Sequence, residues 1–341
     1  MGHVIGDIDA PRRGSMQFWP RKRAKRIYPR IKTVPLLSEP KLTSFSGYKV
    51  GMTHISVIDN IKNSPTKGQE ITIPVTIVEC PPLNVFAIKI YSFDSNNSLK
   101  IISQINSENY EKILLKKLTL KSKKGKEKEK KQLTKQEAEK LANNNEISRV
   151  SVLVHTNPSL TTIGKKKPEL MEIIMGGDIN SALNKAYDLL GKKVEVKEVL
   201  NEGEQLDVFS VTKGKGFQGS VKRFGVKIGS HKAEKTKRKA MSLGPITPRK
   251  VNHRVPQAGQ LGFQTRCDYN KWLLKIFEGK EAEIKGGYIN YGQPKNTVLL
   301  IKGSIPGPKK RLIRLRKSIR ANKKVPKQVP EIIYVSKESK Q

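Results

Sequence analysis

Three segments of the chain combine cationic side chains with aromatic rings and contain almost no acid. Residues 11–32 hold nine Lys and Arg, residues 212–254 hold thirteen and residues 302–327 hold eleven, with Glu234 as the single acid among them. Cationic side chains neutralise phosphates, and arginine or aromatic rings stack on unpaired bases. The interleaved rings are those of Phe18, Trp19, Tyr28, Phe217, Phe224, His231 and His253. The pattern predicts an RNA-binding surface, although an isolated lysine run is more often a solvated tail or face.

The net charge of the 341-residue chain is +37, from 67 Lys and Arg against 30 Asp and Glu. The three basic segments carry +32 of this, so the other 250 residues carry only +5, as an ordinary globular domain does. A free protein with this net charge would repel itself and bind polyanions. The charge therefore argues against an ordinary free metabolic enzyme and favours a chain that nucleic acid neutralises.

Residues 214–219, Gly-Lys-Gly-Phe-Gln-Gly, match the G-x-G-x-x-G pattern of dinucleotide-binding turns and of protein-kinase glycine loops. A dinucleotide-binding turn must lead into an amphipathic helix. Residues 220–229 are basic, broken by glycine and without helical periodicity, so no helix is expected there. A kinase also needs H-R-D and D-F-G motifs, which the sequence lacks. The glycines suit a backbone that lies close against RNA phosphates better than a nucleotide site.

The sequence offers no convincing arrangement for catalysis or metal binding. Its five histidines are scattered, and His54 and His155 fall in predicted strands, where we interpret them as structural. Cys80 and Cys267 are too few for a disulfide framework or a four-thiolate zinc site, so we expect reduced thiols. No apolar run approaches the roughly 18 residues of a membrane span, and the N-terminus has no signal-peptide core. We expect no catalytic residue, metal or cofactor in a soluble, intracellular protein.

Runs rich in β-branched and aromatic residues predict a mainly β core. The predicted strands are residues 52–59, 71–79, 85–93, 193–199, 206–212, 272–277, 296–302 and 311–317. A turn at residues 81–84 separates the second strand from the third. Several short strands of this kind suggest a small closed barrel.

The pattern changes between about residues 96 and 194 and there predicts a compact α/β insertion. The predicted helices are residues 107–118, a helix behind the capping box of Thr134 and Glu137, and a helix capped by Asp178 that ends before Gly191. The predicted strands of the insertion are residues 149–155 and 169–174. We interpret the lysine-rich run 121–131, which two glutamates interrupt, as an exposed linker.

Four long motifs follow one another along the chain. They are GSMQFWPRKRAKR (14–26), VTKGKGFQGSVKRFGV (211–226), RKVNHRVPQAGQLGFQTRCDYNKWLLKI (249–276) and IPGPKKRLIRLRKS (305–318). In these motifs the chain closely resembles the universal ribosomal large-subunit protein three family, and its layout resembles the archaeal members. The resemblance extends from about residue 2 to 335 and is weakest in the insertion.

The resemblance implies a mainly β fold: a translation-factor-like closed β-barrel with an inserted α/β domain, an extended basic N-terminal arm and a long central finger loop. The implied regions are the N-terminal extension 1–42, a first barrel segment 43–95, the α/β insertion 96–194, a second barrel segment 195–320 with the finger 216–262, and the C-terminal tail 321–341. The implied finger tip is Gly244, Pro245, Ile246, Thr247 and Pro248. We expect the finger base at Gly214, Gly216 and Gly219 on entry and at Gly259 and Gly262 on exit.

The resemblance also implies a structural constituent of the large ribosomal subunit in the cytoplasm. Such a protein binds large-subunit ribosomal RNA directly, helps to nucleate subunit assembly and sends its finger toward the peptidyl-transferase centre. The implied partners are this RNA and neighbouring large-subunit ribosomal proteins, with no membrane, small-molecule substrate or free homo-oligomer. An RNA-modifying or RNA-cleaving enzyme that uses the glycine loop or the histidines remains the alternative.

The side chains expected to contact ribosomal RNA are cations and rings of the three basic segments. They are Arg12, Arg13, Trp19, Arg21, Lys22, Arg23, Lys25, Arg26, Lys213, Lys215, Lys222, Arg223, His231, Lys232, Lys235, Lys237, Arg238, Lys239, Arg249, Lys250, His253, Arg254, Lys309, Lys310, Arg311 and Arg314.

Overall fold

A computed structural model describes residues 13–15, 17–107, 111–118, 135–143, 147–233, 237–239, 242–247 and 249–338. The chain divides into two compact units, each made of two stretches of sequence. We call residues 1–27 with 211–265 the loop unit, and residues 28–210 with 266–341 the sheet unit. Predicted features that lie outside the described residues are the linker 121–131, the capping residue Thr134 and the site residues Arg12, Lys235 and Pro248.

Strands predominate over helices, as the sequence predicts. The strands are β1 (Ser44–Ile58), β2 (Glu70–Glu79), β3 (Leu83–Phe93), β4 (Leu99–Asn106), β5 (Arg149–His155), β6 (Leu170–Ile174), β7 (Lys193–Val194), β8 (Gln205–Val211), β9 (Phe217–Gln218), β10 (Gly259–Gln260), β11 (Thr265–Phe277), β12 (Val298–Lys302), β13 (Leu312–Lys317) and β14 (Ile332–Val335). The helices are α1 (Lys112–Leu115), α2 (Lys135–Asn143), α3 (Ile179–Leu189), α4 (Val196–Val199) and α5 (Ser220–Phe224), with 3-10 turns at Pro158–Leu160 and Gly279–Ala282.

Seven strands form one sheet in the order β13-β8-β11-β12-β2-β1-β14, and β13 also pairs with β1. The β1–β13 pairing is antiparallel, from Ser44 opposite Arg316 to Tyr48 opposite Leu312. The six predicted strands of this sheet are confirmed. β1 begins eight residues before its prediction because its first residues, Ser-Phe-Ser-Gly, lack a β-branched pattern although they are buried.

A second sheet has the order β4-β3-β5-β6, and β7 pairs with β3. Its ladders are antiparallel, with Ile88 opposite Ile105 on β4 and Val152 on β5. Helix α3 buries Ala182 and Leu183 in the core of this region. The predicted strands at residues 85–93, 149–155 and 169–174 are therefore confirmed.

The predicted strand at residues 193–199 is wrong. Only its first two residues form β7, and the short helix α4 follows. Glu195 and Glu198 form a reciprocal capping box that satisfies backbone N–H groups at the start of α4. Val196 and Val199 are both buried, at a spacing of three residues. The β-branched residues suggested a strand, but the capping box of the two glutamates stabilises a helical turn.

Two helix predictions need smaller corrections. The helix predicted over residues 107–118 is the single turn α1 within the described residues. Asp178 stands at the N-cap of α3, but its side chain makes no capping hydrogen bond. The Ser181 hydroxyl instead donates to the Asp178 carbonyl oxygen at 2.9 Å.

One hydrophobic core continues from the first sheet to the second within the sheet unit. Tyr48 of β1 is 1 % exposed, and its hydroxyl donates to Thr156 Oγ1 at 3.1 Å. Thr43 Oγ1 donates to the Ile174 carbonyl oxygen, at the end of β6, at 2.8 Å. Burial raises the pKa of Tyr48 well above its ordinary value. The two sheets therefore share both apolar contacts and buried hydrogen bonds.

A buried carboxylate at the end of β2 holds the segment that leads into β12. Glu79 is fully buried, and its Oε1 accepts the backbone N–H groups of Lys295 and Asn296 at 2.8 and 2.9 Å. The same oxygen accepts Asn296 Nδ2 at 2.7 Å, and Tyr291 donates its hydroxyl to Oε2. Burial and the neighbouring Glu79 raise the pKa of Tyr291, so the phenol stays protonated and keeps donating.

Replacement of Glu79 by alanine is expected to destabilise the sheet unit by about 3 kcal/mol or more, because several donors lose their acceptor inside the protein. Glu79→Gln keeps one oxygen for the three nitrogen donors and is expected to cost about 1 kcal/mol. Urea unfolding of each variant measures the free energy of unfolding. Glu70→Ala, at the exposed start of the same strand, is the control. A Glu79→Ala protein as stable as this control would contradict the assignment.

Candidate nucleic-acid interface

The second stretch of the loop unit, residues 211–265, is closed at its base by an antiparallel hairpin. Strands β9 and β10 pair with Gly259 opposite Gln218 and Gln260 opposite Phe217. Backbone N–H groups continue the ladder toward β8 and β11, with Thr212 donating to Gln264 at 3.0 Å, Phe263 to Lys213 at 3.3 Å, Lys215 to Leu261 at 3.0 Å and Leu261 to Gly216 at 2.9 Å. The base of the predicted finger is therefore fixed by backbone bonds.

Glycine is required at the exit from this base. Gly262 has φ +70°, and a Cβ at that position would lie 2.1 Å from the Lys213 carbonyl oxygen. A Cβ at Gly259 would lie 2.9 Å from the Arg223 guanidinium. At Gly262 a side chain would push the two sides of the base apart, whereas at Gly259 the end of the Arg223 side chain would have to shift.

A short helix follows the glycine loop, where the sequence predicts none. Helix α5 is one turn long, with Ser220 and Phe224 buried at a spacing of four residues. It ends at Gly225, which takes the left-handed conformation with φ 70°. The glycine that breaks the sequence pattern is thus the C-cap of the helix. A single turn of this length still does not form the amphipathic helix of a dinucleotide-binding fold.

Phe224 organises a cluster that joins residues 19–24 to the hairpin base. Its ring lies 5.4 Å from the Trp19 ring, and the Arg21 and Arg223 guanidinium carbons lie 4.3 and 5.0 Å from its centroid. The ring therefore has an aromatic partner and two cations. The backbone N–H of Ala24 donates to the Phe263 carbonyl oxygen at 2.8 Å. We call Trp19, Arg21, Arg223 and Phe224 the arm clasp.

The two arginines of the clasp bond to backbone carbonyls. Arg223 donates to the carbonyl oxygens of Gln260, Gln257 and Arg21 at 3.0, 2.9 and 2.9 Å. Arg21 donates to the Arg223 carbonyl oxygen at 2.7 Å. Burial lowers the pKa of both guanidinium groups, and the charge of Arg21 lowers that of Arg223 further. The negative ends of these carbonyl dipoles offset the repulsion between the two guanidinium charges, which lie near the same ring.

The other predicted cations of the loop unit, where the structure describes them, are exposed. They are Arg13, Lys22, Arg23, Lys25, Arg26, Lys213, Lys215, Lys222, His231, Lys232, Lys237, Arg238, Lys239, Arg249, Lys250, His253 and Arg254. The sequence of residues 13–27 and 211–265 contains one acid, Glu234. The exposed charge of this unit therefore has almost no acid within the unit to neutralise it.

The described part of the predicted finger tip is exposed from Gly244 to Thr247. Ile246 is 89 % exposed, and Gly244 has φ +112° with open space around it. The tip carries no charge and makes no contribution to a core. It presents an apolar side chain between cationic stretches of sequence.

The third basic segment lies in the sheet unit, and some of its cations bond to groups within the protein. Arg314 is 3 % exposed and donates to the carbonyl oxygens of Glu172 and Pro29 at 2.7 and 3.4 Å. Burial lowers the pKa of Arg314 to about 10. Lys309 Nζ donates to the Ile289 carbonyl oxygen at 2.9 Å.

The neighbouring cations of this segment differ in exposure. Arg311 is half-buried and burial lowers its pKa, whereas Lys310 is exposed. Arg316, which is not in the predicted set, is buried against Asp207 and donates to the Thr33 carbonyl oxygen at 2.6 Å. The residue types in the sequence do not distinguish these internal cations from the exposed ones of the loop unit.

The histidines and cysteines show no sign of a metal site in the part of the chain that the structure describes. No group of three or more His, Cys, Asp or Glu is placed to hold an ion. His155 is 1 % exposed and burial lowers its pKa, as expected of a structural histidine. Cys80 and Cys267 are both free thiols. Among the described helices, none has the length and apolar character needed to cross a bilayer.

Replacing Arg223 by lysine is expected to loosen the arm clasp. A single ammonium cannot reproduce the fork that bonds three carbonyls. The amide of Ala24 should then exchange with deuterium about 10-fold faster or more, because the local opening free energy falls by roughly 1–2 kcal/mol. Lys222→Ala removes an exposed neighbouring charge and serves as the control. An unchanged rate at Ala24 in the Arg223→Lys protein would show that Arg223 does not hold the clasp.

Comparison with known proteins gives one consistent result. The family model for ribosomal protein L3 matches residues 3–341. The chain is 45 % identical over 339 residues to the large ribosomal subunit protein uL3 of Methanocaldococcus jannaschii, covering 98 % of each chain. It is 44 % identical over 340 residues to the protein of the same name in Methanothermobacter thermautotrophicus, covering 97 % of this chain and 98 % of that one. The uL3 protein of Archaeoglobus fulgidus is 44 % identical over 337 residues, with the same coverage.

These matches confirm the resemblance found in the four motifs, including its archaeal character. They extend along almost the whole chain and so include the loop unit, the sheet unit and all three basic segments. The enzymatic alternative is not supported, because the matched relatives are named as large ribosomal subunit proteins. The chain belongs to the ribosomal protein L3 family.

Proposed function

We propose that this chain is a structural constituent of the large subunit of the cytoplasmic ribosome and binds large-subunit ribosomal RNA directly. The observation that carries the proposal is a loop unit that is rich in exposed cations and holds one acid in residues 13–27 and 211–265. The relatives matched along 98 % of their length are named as large-subunit ribosomal proteins. Such charge requires a polyanion as partner, and ribosomal RNA supplies one.

We also propose the finer architecture: a translation-factor-like β-barrel formed by residues 43–95 and 195–320, with residues 96–194 inserted as an α/β domain. In support, β13 pairs with β1 as well as with β8, so the strand pairings β1-β13-β8-β11-β12-β2 return to β1. Residues 1–42 form the basic extension, residues 216–262 the finger and residues 321–341 the tail. The barrel is the platform from which the basic segments extend.

The proposed mechanism of RNA binding is electrostatic. Exposed lysines and arginines enter places where phosphates crowd and reduce the repulsion that keeps RNA helices apart. The predicted contact residues divide into two roles on this proposal. Trp19, Arg21 and Arg223 keep the arm against the hairpin base, and Arg314 holds the backbone around Pro29. The exposed cations of the loop unit are left to contact phosphates, and binding of several RNA segments by one chain would help to nucleate assembly.

The finger tip is proposed to reach toward the peptidyl-transferase centre. Residues 244–247 are exposed, uncharged and small apart from Ile246. Such a tip fits a crowded place where a charged or bulky side chain would not be accommodated. The cationic stretches before and after it supply the attraction to RNA along the way.

Neighbouring large-subunit proteins are the second class of proposed partner. The hairpin of β3 and β4 exposes Phe93, Leu99, Ile101 and Ile102 by 41–59 %. An apolar group of this kind suits contact with protein better than contact with phosphate. We propose no membrane, small-molecule or homo-oligomeric partner.

The salt dependence of RNA binding tests the electrostatic mechanism. If a third of the 33 Lys and Arg in the three segments contact phosphate, log Kd against log salt should have a slope of magnitude about 8 to 10. Replacing Lys213, Lys215 and Lys222 by alanine should reduce the magnitude by about 2 to 3. The matched control is the triple alanine variant of Lys192, Lys193 and Lys197, which are exposed in the sheet unit. A slope of magnitude below about 3 would mean that most of the charge remains solvated.

Deleting residues 242–247 tests the proposed role of the tip. The described tip belongs to no core, so the truncated chain should fold and enter large subunits. Purified subunits should then form peptide bonds more slowly or show altered chemical reactivity of RNA bases near the reaction centre. Deletion of residues 95–98, in the exposed turn between β3 and β4, is the control. Normal behaviour of the tip-deleted subunits in both assays would remove the functional role of the finger and leave it as filler between RNA helices.

A further inference from the structure

Phe217 is the most exposed phenylalanine ring among the described residues of the chain. It is 77 % exposed, whereas Phe224, seven residues later, is 7 % exposed and forms part of the arm clasp. A single exposed apolar side chain is common on protein surfaces and needs no explanation by itself. The surroundings of Phe217 provide three further observations.

The backbone beneath Phe217 is fixed. Phe217 pairs with Gln260 in the β9–β10 ladder. Directly before it, both Lys215 and Gly216 bond to the single residue Leu261, which is the arrangement of a β-bulge. Gly216 takes φ +67°, a conformation that glycine adopts without strain. The ring is therefore presented from a held position of the chain, which lowers the entropy lost on binding.

The backbone on both sides of Phe217 contains glycines with open space around them. A Cβ added at Gly216 or at Gly219 would meet no atom within 4 Å. Gly219 has an ordinary negative φ of −67°, and at its position before α5 a serine or asparagine would cap the helix better. Neither packing nor conformation within the protein requires glycine at Gly219. A backbone without a side chain leaves room there for another molecule to approach closely.

The charge beside the ring is positive. Lys213 and Lys215 are exposed, and Lys215 lies two residues before Phe217 in the chain. Neither ammonium group has an ion-pair partner within the described residues. The planar apolar ring suits a nucleobase, and the nearby ammonium groups suit the phosphates next to that base. The backbone without side chains leaves room for the RNA chain.

We propose that Phe217 stacks on an unpaired base of RNA while Lys213 and Lys215 contact the adjoining phosphates, with the RNA backbone passing close over Gly216 and Gly219. The inference rests on the proposed RNA-binding function and adds the class of RNA that this site takes. Bases in a duplex already stack on their neighbours, so the site selects a single-stranded loop, bulge or end. Recognition by stacking tolerates any base, because every base has a π-face.

The test compares two RNA probes with the full chain. The first is a 12-nucleotide single-stranded oligouridylate, whose bases stack weakly on one another, with one 2-aminopurine whose fluorescence falls on stacking. The second is an RNA duplex of 12 base pairs. Phe217→Ala should weaken binding of the single strand about 10-fold or more and abolish the fluorescence change, with duplex affinity unchanged within about twofold. Phe217→Trp should preserve both signals, and Phe217→Leu, which keeps an apolar side chain without a π-face, should lose them.

Tyr334→Ala is the matched control, because Tyr334 carries an aromatic ring, is 48 % exposed and lies outside the basic segments. It should leave both affinities unchanged. Unaltered fluorescence quenching in Phe217→Ala or in Phe217→Leu would overturn the stacking site while leaving the proposed function intact. An equal loss of affinity for both probes would also overturn it, because stacking on an unpaired base cannot act on a duplex. If the unsubstituted protein bound neither probe, the proposed function itself would fail.

Discussion

Uncompensated positive charge is the constraint on which the organisation of this protein depends. The loop unit holds a single acid in residues 13–27 and 211–265, so acids within the unit cannot neutralise its cations. A unit of this kind has to be held together by interactions that do not need counter-charges. The structure supplies them as backbone bonds across the hairpin base, as arginine bonds to carbonyl oxygens and as one shared aromatic ring.

Arginine serves two purposes in this chain. Where a guanidinium is buried, as in Arg314, its donors meet carbonyl oxygens of neighbouring segments. Where it is exposed, as in Arg23 or Arg238, its donors face solvent and are available to phosphate. A planar fork of donors suits both tasks, and lysine would suit the first one less well. The proposed function gives contact with phosphate to the exposed cations of the loop unit.

The sequence was sufficient to predict most of the longer strands, because runs such as residues 71–79 and 149–155 combine β-branched residues with sharp boundaries. Strands β4 and β14 were not predicted. The sequence was insufficient at residues 193–199, where the valines suit either a strand or a helical turn. The capping box of Glu195 and Glu198 stabilises the helical turn there. The basic segments were visible as composition. The sequence did not show which cations are internal and which are exposed. Arg21 and Arg223 bond to each other's carbonyl oxygens, and these two residues lie about 200 positions apart in the chain.

The bonds of Arg314 and Arg316 to the carbonyl oxygens of Pro29 and Thr33 have a consequence for how the protein responds to its ionic surroundings. Mobile ions screen attraction between exposed charges strongly and between buried groups much less. The path of the chain after the arm is therefore less sensitive to ionic strength than attachment to RNA. Concentrated salt should strip this protein from a ribonucleoprotein particle long before it unravels the fold, so release and rebinding can occur without refolding.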